Sequence, residues 1–220
     1  MPDFSKEREI AKEYDLKNAI IVGVDEVGRG PWAGPVVAAA AWLNRKRLPR
    51  KLVALLDDSK KLSIKKREQI DTQLQLLNKT GVVKIALGEA SIEEIDEINI
   101  LQASMLAMQR AITNLSRPPF ALHPDAILID GNRLPELPCP GKAVVKGDSI
   151  SLSIAAASVV AKVNRDRQMH QLSIQYPGYG WERNQGYGTP EHQAALLDLG
   201  VTPAHRRTFR PIRERLELTD

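Results

Sequence analysis

The stretch "IIVGVDEVGRGPWAGP", residues 20–35, places two adjacent carboxylates, Asp25 and Glu26, between an apolar run and a cluster of glycines. The β-branched residues before them predict a buried strand over Ala19–Val24. A buried strand gains nothing from two charges at its exit, so the acids indicate a functional site. Successive side chains on a strand point to opposite faces, so a site shared by both acids predicts a twist or bulge here, which the following glycines would permit.

The rest of the chain alternates between strand and helix patterns. Short apolar runs predict further strands at 36–43, 81–90, 125–130 and 143–145. Helical spacing and helix-capping residues predict helices at 63–81, 91–117, 149–176 and 190–199, the second opened by a capping box of Ser91 and Glu94. Strands mixed with helices in this order predict an α/β domain with a central sheet.

The composition fits one globular domain, with 220 residues of which 43% are hydrophobic and 26% charged. A change of composition near Gly200 separates a predicted domain, residues 1–200, from an arginine-rich C-terminal segment, residues 201–220. The net charge of +4 favours a polyanionic partner only weakly. Two basic clusters, at 60–67 and 206–215, could bracket a nucleic-acid backbone or could be solvated surface.

No segment predicts export or membrane insertion. Residues 1–15 are charged throughout, and the longest uncharged apolar run, Val36–Leu43, is far shorter than the ~20 residues of a spanning helix. The single cysteine, Cys139, has no partner for a disulfide or for a zinc site. We therefore expect a cytoplasmic protein without a membrane partner. No oligomerisation seam is evident, so we expect a monomer.

Two more acids lie at the ends of predicted elements. Asp130 ends the strand "DAILID", and Asp148 precedes the long helix that begins near Ser149. Carboxylates are hard oxygen ligands that select Mg²⁺ or Mn²⁺. Two such ions roughly 3.5–4 Å apart are typical of in-line phosphodiester cleavage. The four acids therefore predict a metal-dependent nuclease.

Structural interpretations of these acids stay open at this point. Asp130 followed by Gly131 could be a turn former, and Asp148 could complement the dipole of the helix after it. Asp166, inside the long helix, could be a fourth ligand, but it can also pair with Lys162 one turn back, and we expect the pair.

Six motifs in one order resemble bacterial ribonuclease HII, over Ile20–Phe209. The motifs are "GVDEVGRGPWAGP", "DDSKKLS", "ILIDGN", "VVKGDSISLSIAAASVVAKVNRD", "YPGYGW" and "NQGYGTPEH". The resemblance implies an RNase H-like fold, a mixed five-stranded sheet flanked by helices with a helical C-terminal segment. It also implies hydrolysis of the RNA strand of RNA–DNA hybrids and incision of duplex DNA at embedded ribonucleotides, leaving 3′-hydroxyl and 5′-phosphate ends.

The resemblance also implies roles for individual residues. By motif position, the family's metal-binding catalytic acids fall on Asp25, Glu26, Asp130 and Asp148. The residues that would recognise the ribose 2′-hydroxyl fall on Gly28, Arg29 and Gly30, and the tyrosine that packs on the junction sugar falls on Tyr187. Phosphate contacts are expected at Ser59, Lys60 and Lys61. None of the four histidines shows the spacing of a metal ligand.

Two other classes of function remain open from the sequence. A related carboxylate nuclease of the same superfold would share the acids but cut all-DNA substrates. A non-catalytic nucleic-acid-binding protein would use the acids only as caps and turns, and no activity would depend on a metal. No obligate protein partner is evident from the sequence.

Overall fold

The computed structural model describes residues 1–217, so the last three residues of the predicted C-terminal segment lie outside the described residues. A five-stranded sheet in the order β3-β2-β1-β4-β5 forms the centre of the fold. β1 pairs antiparallel with β2 and parallel with β4, which makes the sheet mixed and confirms the predicted fold class. The strands are β1 (Ile21–Val27), β2 (Val36–Leu43), β3 (Val83–Ala90), β4 (Ala126–Asp130) and β5 (Gly141–Val144).

Two long helices cover the two faces of the sheet, and smaller helices surround them. The helices are α1 (Ser5–Glu13), α2 (Arg50–Leu55), α3 (Ile64–Lys79), α4 (Ile92–Ser116), α5 (Leu152–Gln175), α6 (Trp181–Asn184), α7 (Pro190–Leu199) and α8 (Arg210–Glu217), with a 3₁₀ helix at Gly147–Ser149. Val22 and Val24 of β1 belong to the core cluster shared with α4. The alanines Ala39 and Ala41 of β2 belong to the cluster shared with α5. Burial on both faces explains why these strands are continuously apolar.

Gly23 explains why α5 approaches the sheet so closely. A Cβ atom added at Gly23 would lie 2.3 Å from backbone atoms of Ser153 and Ile154, in the first turn of α5. Only a residue without a side chain allows this contact. The close approach brings the segment before α5, which contains Asp148, to the end of β1.

Most predicted elements are present, with shifted bounds. β2 spans the predicted residues, and the capping box of Ser91 and Glu94 is formed. α5 begins three residues later than the predicted Ser149, because Gly147–Ser149 forms the 3₁₀ helix and Ser151 caps α5. α4 is interrupted at Asn99, where φ is 65° and the side chain accepts hydrogen bonds from the next helical turn. Helices α1, α2 and α6 were not predicted, whereas α8 confirms the helical C-terminal segment that the resemblance implied.

The arginine-rich C-terminal segment folds back onto the loop after β1. His205 forms a β-bridge with Ala33, and the Arg206 side chain is fully buried. The expectation that Arg206 belongs to an exposed basic cluster is therefore wrong, because its guanidinium is satisfied by backbone carbonyls inside the protein. The division of the chain at residue 200 stays a prediction. None of the helices within residues 1–217 combines the length and apolar character that crossing a bilayer requires.

Candidate active site at the ends of β1 and β4

Asp25 and Glu26 lie within β1 rather than after it. They pair in regular antiparallel register with Ala39 and Ala38 of β2, and the pairing continues through Val27. Of the predicted twist or bulge, the regular register therefore excludes the bulge. The ordinary alternation of a strand points the two carboxylates to opposite faces near the end of the sheet. A site that uses both carboxylates must therefore include groups on both faces of the sheet at this end of β1.

The surroundings of each acid identify the face that it occupies. Asp25 is 6% exposed and accepts a hydrogen bond from the hydroxyl of Ser158, on α5. Glu26 lines a cavity of about 50 Å³ together with Leu101 and Met105 of α4. Asp130 lines the same cavity. The site therefore spans both faces of the sheet at its end.

The parallel pairing of β1 and β4 brings Asp130 to Asp25. Val24 and Ile129 are the last paired residues of the two strands, and Asp25 and Asp130 each follow directly. Asp130 Oδ1 accepts a hydrogen bond of 2.6 Å from the backbone amide of Gly147. This bond ties the end of β4 to the 3₁₀ helix that carries Asp148, so Asp130 does more than form a local turn.

Asp148 is 5% exposed and lies beside another acid, Asp58. Burial raises the pKa of Asp148, and the charges of Asp130 and Asp58 raise it further, while Lys60 opposes them. Asp58 was not singled out from the sequence, although it belongs to the quoted motif "DDSKKLS". A pair of aspartates before a serine resembles an ordinary turn, so only the fold reveals its contact with Asp148.

The four predicted acids form one electrostatic cluster around Asp25. Burial raises the pKa of Asp25 well above its ordinary value, and the negative charges of Glu26, Asp130 and Asp148 each add to the increase. Burial also raises the pKa of Glu26; the nearby Arg29 partly offsets this effect, whereas Asp130 reinforces it. Like charges in a dry site destabilise one another. A cation placed among them would relieve that repulsion.

Lys60 supplies one cation from the protein itself. Burial lowers the pKa of its ammonium group, but attraction from Asp25, Asp148, Asp58 and Asp130 outweighs burial and raises the pKa overall. Lysine pKa values respond in this way to several nearby carboxylates because each one stabilises the charged form. Lys60 is therefore held close enough to the cluster to feel every one of these acids.

The two neighbours of Lys60 differ in their exposure. Lys61 is exposed and donates a 3.1 Å hydrogen bond to the hydroxyl of Ser149. Ser59 is 3% exposed, and its hydroxyl lies 2.8 Å from that of Ser158, which in turn bonds Asp25. The Ser59 hydroxyl is thus engaged inside the protein, and the phosphate contact expected at Ser59 stays a prediction.

A divalent cation fits this site on chemical grounds. Every group in the cluster other than Lys60 offers hard carboxylate oxygens, the donors that Mg²⁺ and Mn²⁺ prefer. Within residues 1–217, however, no three His, Cys, Asp or Glu side chains are already placed to hold a metal ion together. The fit therefore rests on donor type and on the shared electrostatics of the acids.

The glycine loop faces Tyr187. A Cβ atom added at Gly30 would lie 3.2 Å from Cε1 of the Tyr187 ring, and Tyr187 is 48% exposed. The Arg29 side chain is exposed, and its Nη1 lies 3.3 Å from Oε1 of Glu26. The structure therefore brings the predicted sugar-recognition residues next to each other and next to the carboxylate cluster.

Asp166 lies outside the cluster. Its Oδ1 lies 2.5 Å from Nζ of Lys162, and its Oδ2 lies 3.7 Å from Nη2 of Arg67. The expected pair with Lys162 is thus present. The largest shifts in the pKa of Asp25, Glu26 and Asp148 come from burial and from groups other than Asp166. Its arrangement is that of a structural ion pair.

Two buried arginines behind the glycine loop were missed by the sequence analysis. Arg165 and Arg206 are 1% and 0% exposed, and neither forms an ion pair within residues 1–217. Their hydrogen bonds go to backbone carbonyls, mostly those of residues 28–35. Burial, followed by repulsion from Arg165, lowers the pKa of Arg206 to about 9, so its guanidinium remains charged at neutral pH.

A buried histidine pair supports the loop that carries Tyr187. The Thr202 amide donates to Nδ1 of His205, so the proton of neutral His205 is on Nε2. His192 Nδ1 lies 3.0 Å from the carbonyl of Tyr187, which can only accept, so that nitrogen carries the proton. The single lone pair of His192 Nε2 is then shared by two donors, His205 Nε2 at 3.0 Å and Trp181 Nε1 at 3.1 Å. The whole network is satisfied when both rings are neutral.

Comparisons with known proteins agree with this geometry. The family model described as Ribonuclease HII matches residues 22–212. The curated Ribonuclease HII of Rhodospirillum rubrum is 57% identical over 216 residues, which cover 98% of this chain and 92% of that relative. Family membership supports the nuclease interpretation over a non-catalytic binding protein.

Two solved structures have the same fold. The crystal structure of ribonuclease H2 from Pyrococcus horikoshii OT3 matches with a TM-score of 0.70 and 26% identity, covering 90% of this chain and 97% of that one. Bst-RNase HIII in complex with Mn²⁺ matches with a TM-score of 0.71, covering 97% of this chain and 81% of that one; at 20% identity this likeness concerns the fold alone. The chain therefore belongs to the ribonuclease HII family of metal-dependent endoribonucleases, which degrade RNA in RNA–DNA hybrids.

Proposed function

We propose that this enzyme cleaves its substrate with two divalent ions, Mg²⁺ or Mn²⁺, bound by Asp25, Glu26, Asp130 and Asp148. The observation that carries the proposal is the parallel pairing of β1 with β4, which places Asp25 and Asp130 at neighbouring strand ends, together with the bond from the Gly147 amide that ties Asp130 to the segment of Asp148. Burial and the charges of the other three acids raise the pKa of Asp25 in this arrangement. Buried acids with such perturbed pKa values are typical of functional sites. A pair of cations is the simplest partner for four carboxylates that converge on one end of a sheet.

The protein's own groups prepare this site. The Gly147 amide and the Ser158 hydroxyl hold Asp130 and Asp25 by hydrogen bonds, which fixes where their oxygens lie. When bound, the cations supply an activated water and stabilise the leaving oxygen. Lys60, held by the field of the acids, and the exposed Lys61 bind phosphates of the duplex and position the scissile bond.

We further propose that the enzyme incises duplex DNA at single embedded ribonucleotides, leaving 3′-hydroxyl and 5′-phosphate ends. The 2′-hydroxyl is the group that distinguishes a ribonucleotide from a deoxyribonucleotide. Arg29 and Gly30 provide an exposed backbone that a sugar can approach closely, and Tyr187 faces Gly30 across this approach. Gly28 would act from inside the loop, where its positive φ turns the chain against Arg165. One isolated ribonucleotide could therefore be recognised without neighbouring RNA.

The proposal also includes the oligomeric state, the location and the substrates of the enzyme. The enzyme acts as a monomer in the cytoplasm, and its partners are RNA–DNA hybrids and ribonucleotide-containing duplex DNA. No obligate protein partner is proposed. The related superfold nuclease that cuts all-DNA duplexes is the alternative that substrate tests must exclude.

Three labelled duplexes test the proposal, one all-DNA, one with a single ribonucleotide and one RNA–DNA hybrid. Each is incubated with the enzyme in Mg²⁺, in Mn²⁺ and in EDTA. We expect cleavage of the hybrid and incision at the ribonucleotide in either metal, with no products in EDTA or from all-DNA. Cleavage of the all-DNA duplex would instead support the DNA nuclease. An intact single-ribonucleotide duplex beside a cleaved hybrid would refute the proposed incision.

A further inference from the structure

We infer that Arg206 is a positioning residue for ribose recognition, because it holds the loop at Gly28–Gly30 so that the amides of Arg29 and Gly30 face the substrate. The inference rests on the proposed function of this loop and adds a residue to it. Arg206 lies almost at the end of the matched region, 176 positions after Gly30 in the chain. It contacts no acid of the carboxylate cluster.

The hydrogen bonds donated by the Arg206 guanidinium all go to the loop after β1, while its other face packs on the Phe209 ring. Nη2 donates to the carbonyls of Gly28, at 2.5 Å, and Pro35, at 3.2 Å. Nη1 donates to the carbonyl of Arg29 at 3.1 Å, and Nε donates to that of Gly34 at 2.9 Å. One guanidinium thus joins both ends of the loop from the inside of the protein.

The geometry of the peptide bond determines the direction in which the amides of this loop point. In a trans peptide the carbonyl and the following N–H point in opposite directions. Because the carbonyls of Gly28 and Arg29 point inward to Arg206, the amides of Arg29 and Gly30 point outward. Both residues are exposed, and neither amide has a hydrogen-bond partner within residues 1–217. Two free donors are therefore presented beside the Tyr187 ring.

The same C-terminal segment also fixes the position of the Tyr187 loop. The amide of Arg206 donates to the carbonyl of Trp32, and the amide of Trp32 donates to the carbonyl of Gly186. Arg165 adds bonds to the carbonyls of Ala33 and Gln185, at 3.0 Å each. These contacts set the spacing between Gly30 and Tyr187, the opening that a ribose would enter.

The chemistry of the side chain explains why an arginine occupies this position. Its planar fork places five N–H donors in fixed directions, whereas lysine has a single nitrogen on a flexible stem. A lysine keeps the positive charge but cannot donate to all four carbonyls at once. Arg206→Lys therefore separates the geometry of the loop from its electrostatics.

The test measures binding in EDTA, where no cleavage occurs, to two duplexes that differ in one 2′-hydroxyl. The wild type should prefer the single-ribonucleotide duplex over all-DNA. In Arg206→Lys this ratio of affinities should fall by about tenfold, the size of one or two lost hydrogen bonds, with little change for all-DNA. The matched control is Arg207→Lys, an exposed neighbour, which should leave the ratio unchanged.

Each outcome decides a separate question. A wild type without any preference in binding or in cleavage would refute the proposed function. A wild type with the preference, together with an Arg206→Lys variant that keeps it, would refute the role of Arg206 alone. An equal loss for both duplexes would also refute it, since that result indicates general damage.

A measurement on the wild type covers the case in which Arg206→Lys does not fold. Amide resonances of Arg29 and Gly30 are followed by NMR during titration with each duplex. We expect them to shift more with the ribonucleotide duplex than with all-DNA, while the internally bonded amide of Trp32 responds equally to both. Equal shifts at Arg29 and Gly30 would overturn the inference, because the outward amides would then not sense the 2′-hydroxyl.

Discussion

Asp25 and Arg206 are both buried charged groups near the end of β1, at 6% and 0% exposure, but their surroundings differ in kind. Asp25 lies among other acids, and its pKa is raised by burial and by each of them. Arg206 lies among carbonyl oxygens of its own chain, which satisfy its donors. One charge is left without balance, and the other is balanced by dipoles.

The difference indicates which part of the site needs a bound ligand to balance its charge. Carbonyl dipoles can satisfy a buried guanidinium, so the loop over Arg206 is complete before substrate arrives. Neighbouring carboxylates cannot satisfy one another, and Lys60 supplies only one positive charge against them. A preorganised loop beside an unbalanced acidic cluster suits an enzyme that recognises a sugar with its backbone and acts through added cations.

We expect the largest effect when one acid of the carboxylate cluster loses its charge. Asp130→Asn should lower kcat on RNA–DNA hybrid at least about 10²-fold, because a metal ligand is lost. Hybrid binding should persist, since the amide oxygen can still accept from Gly147 and one repulsive charge is gone. Kinetics in Mg²⁺ and binding in EDTA measure the two effects. The matched control, Asp125→Asn just before the same strand, should retain its rate. Substantial turnover by Asp130→Asn would contradict the assignment.

The second prediction concerns the neutral pair of His192 and His205, which supports the loop that carries Tyr187. Burial, followed by the charge of His192, lowers the pKa of His205 to about 4. Between the ordinary value of ~6.5 and about 4, the unfolded chain binds more protons, so the free energy of unfolding falls as pH decreases. The stabilisation is complete above pH ~6.5, and its loss reaches about 3 kcal/mol near pH 4.

Urea unfolding of the wild type and of His205→Gln across this pH range measures the effect. The acids of the active site, whose raised pKa values act in the opposite direction, are common to both proteins, so the difference isolates the histidine. We expect the difference to shrink towards pH 4. His170→Gln, a change at an exposed histidine, is the control and should reproduce the wild-type profile. A constant difference between wild type and His205→Gln would mean that His205 is already protonated in the folded protein.

The acidic half of the site was predictable from the sequence because its signals are local. An apolar run that ends in a carboxylate predicts both the strand and the exposed end, as at Asp130. β2 matched its predicted bounds for the same reason, since its apolar residues are continuous. The end of β1 was placed too early and a bulge was not needed, because the acids lie inside a regular strand on its two faces.

In the region proposed to recognise the ribose, the sequence predicted the motif residues Gly28, Arg29, Gly30 and Tyr187. It did not predict the contacts that hold them in place. A basic run with Arg206 and Arg207 is typical of solvated surface. Only one of the two is buried, and its partner carbonyl at Gly34 lies 172 positions away. Similarly, the hydrogen-bond donors to α1 are distant in the chain: its Glu7 accepts from the hydroxyls of Ser151 and Ser153. Contacts of side chains with remote backbone leave no periodic pattern in the sequence.

The third prediction concerns Tyr187, whose ring faces Gly30 in the loop proposed to recognise the ribose. Tyr187→Ala should reduce incision at a single ribonucleotide about fivefold more than cleavage of a long hybrid, because stacking of one ring contributes roughly 1 kcal/mol. In a hybrid, neighbouring ribonucleotides give the enzyme alternative registers. The ratio of kcat/KM on the two substrates is the measurement. Tyr187→Phe separates the ring from its hydroxyl, and a variant that loses only thermal stability would make the tyrosine structural.

The smallest expected effect concerns the lysines at the edge of the acidic cluster. Binding of duplex should weaken linearly on a plot of log affinity against log salt, because phosphate contacts release counterions. Lys61→Gln should reduce the slope by about one, since Lys61 is exposed and one phosphate contact would be lost. Lys46→Gln, which changes an exposed lysine just beyond the opposite end of β2, should leave the slope unchanged. An unchanged slope in Lys61→Gln would place the phosphate contact on Lys60, whose position is set by the acids themselves.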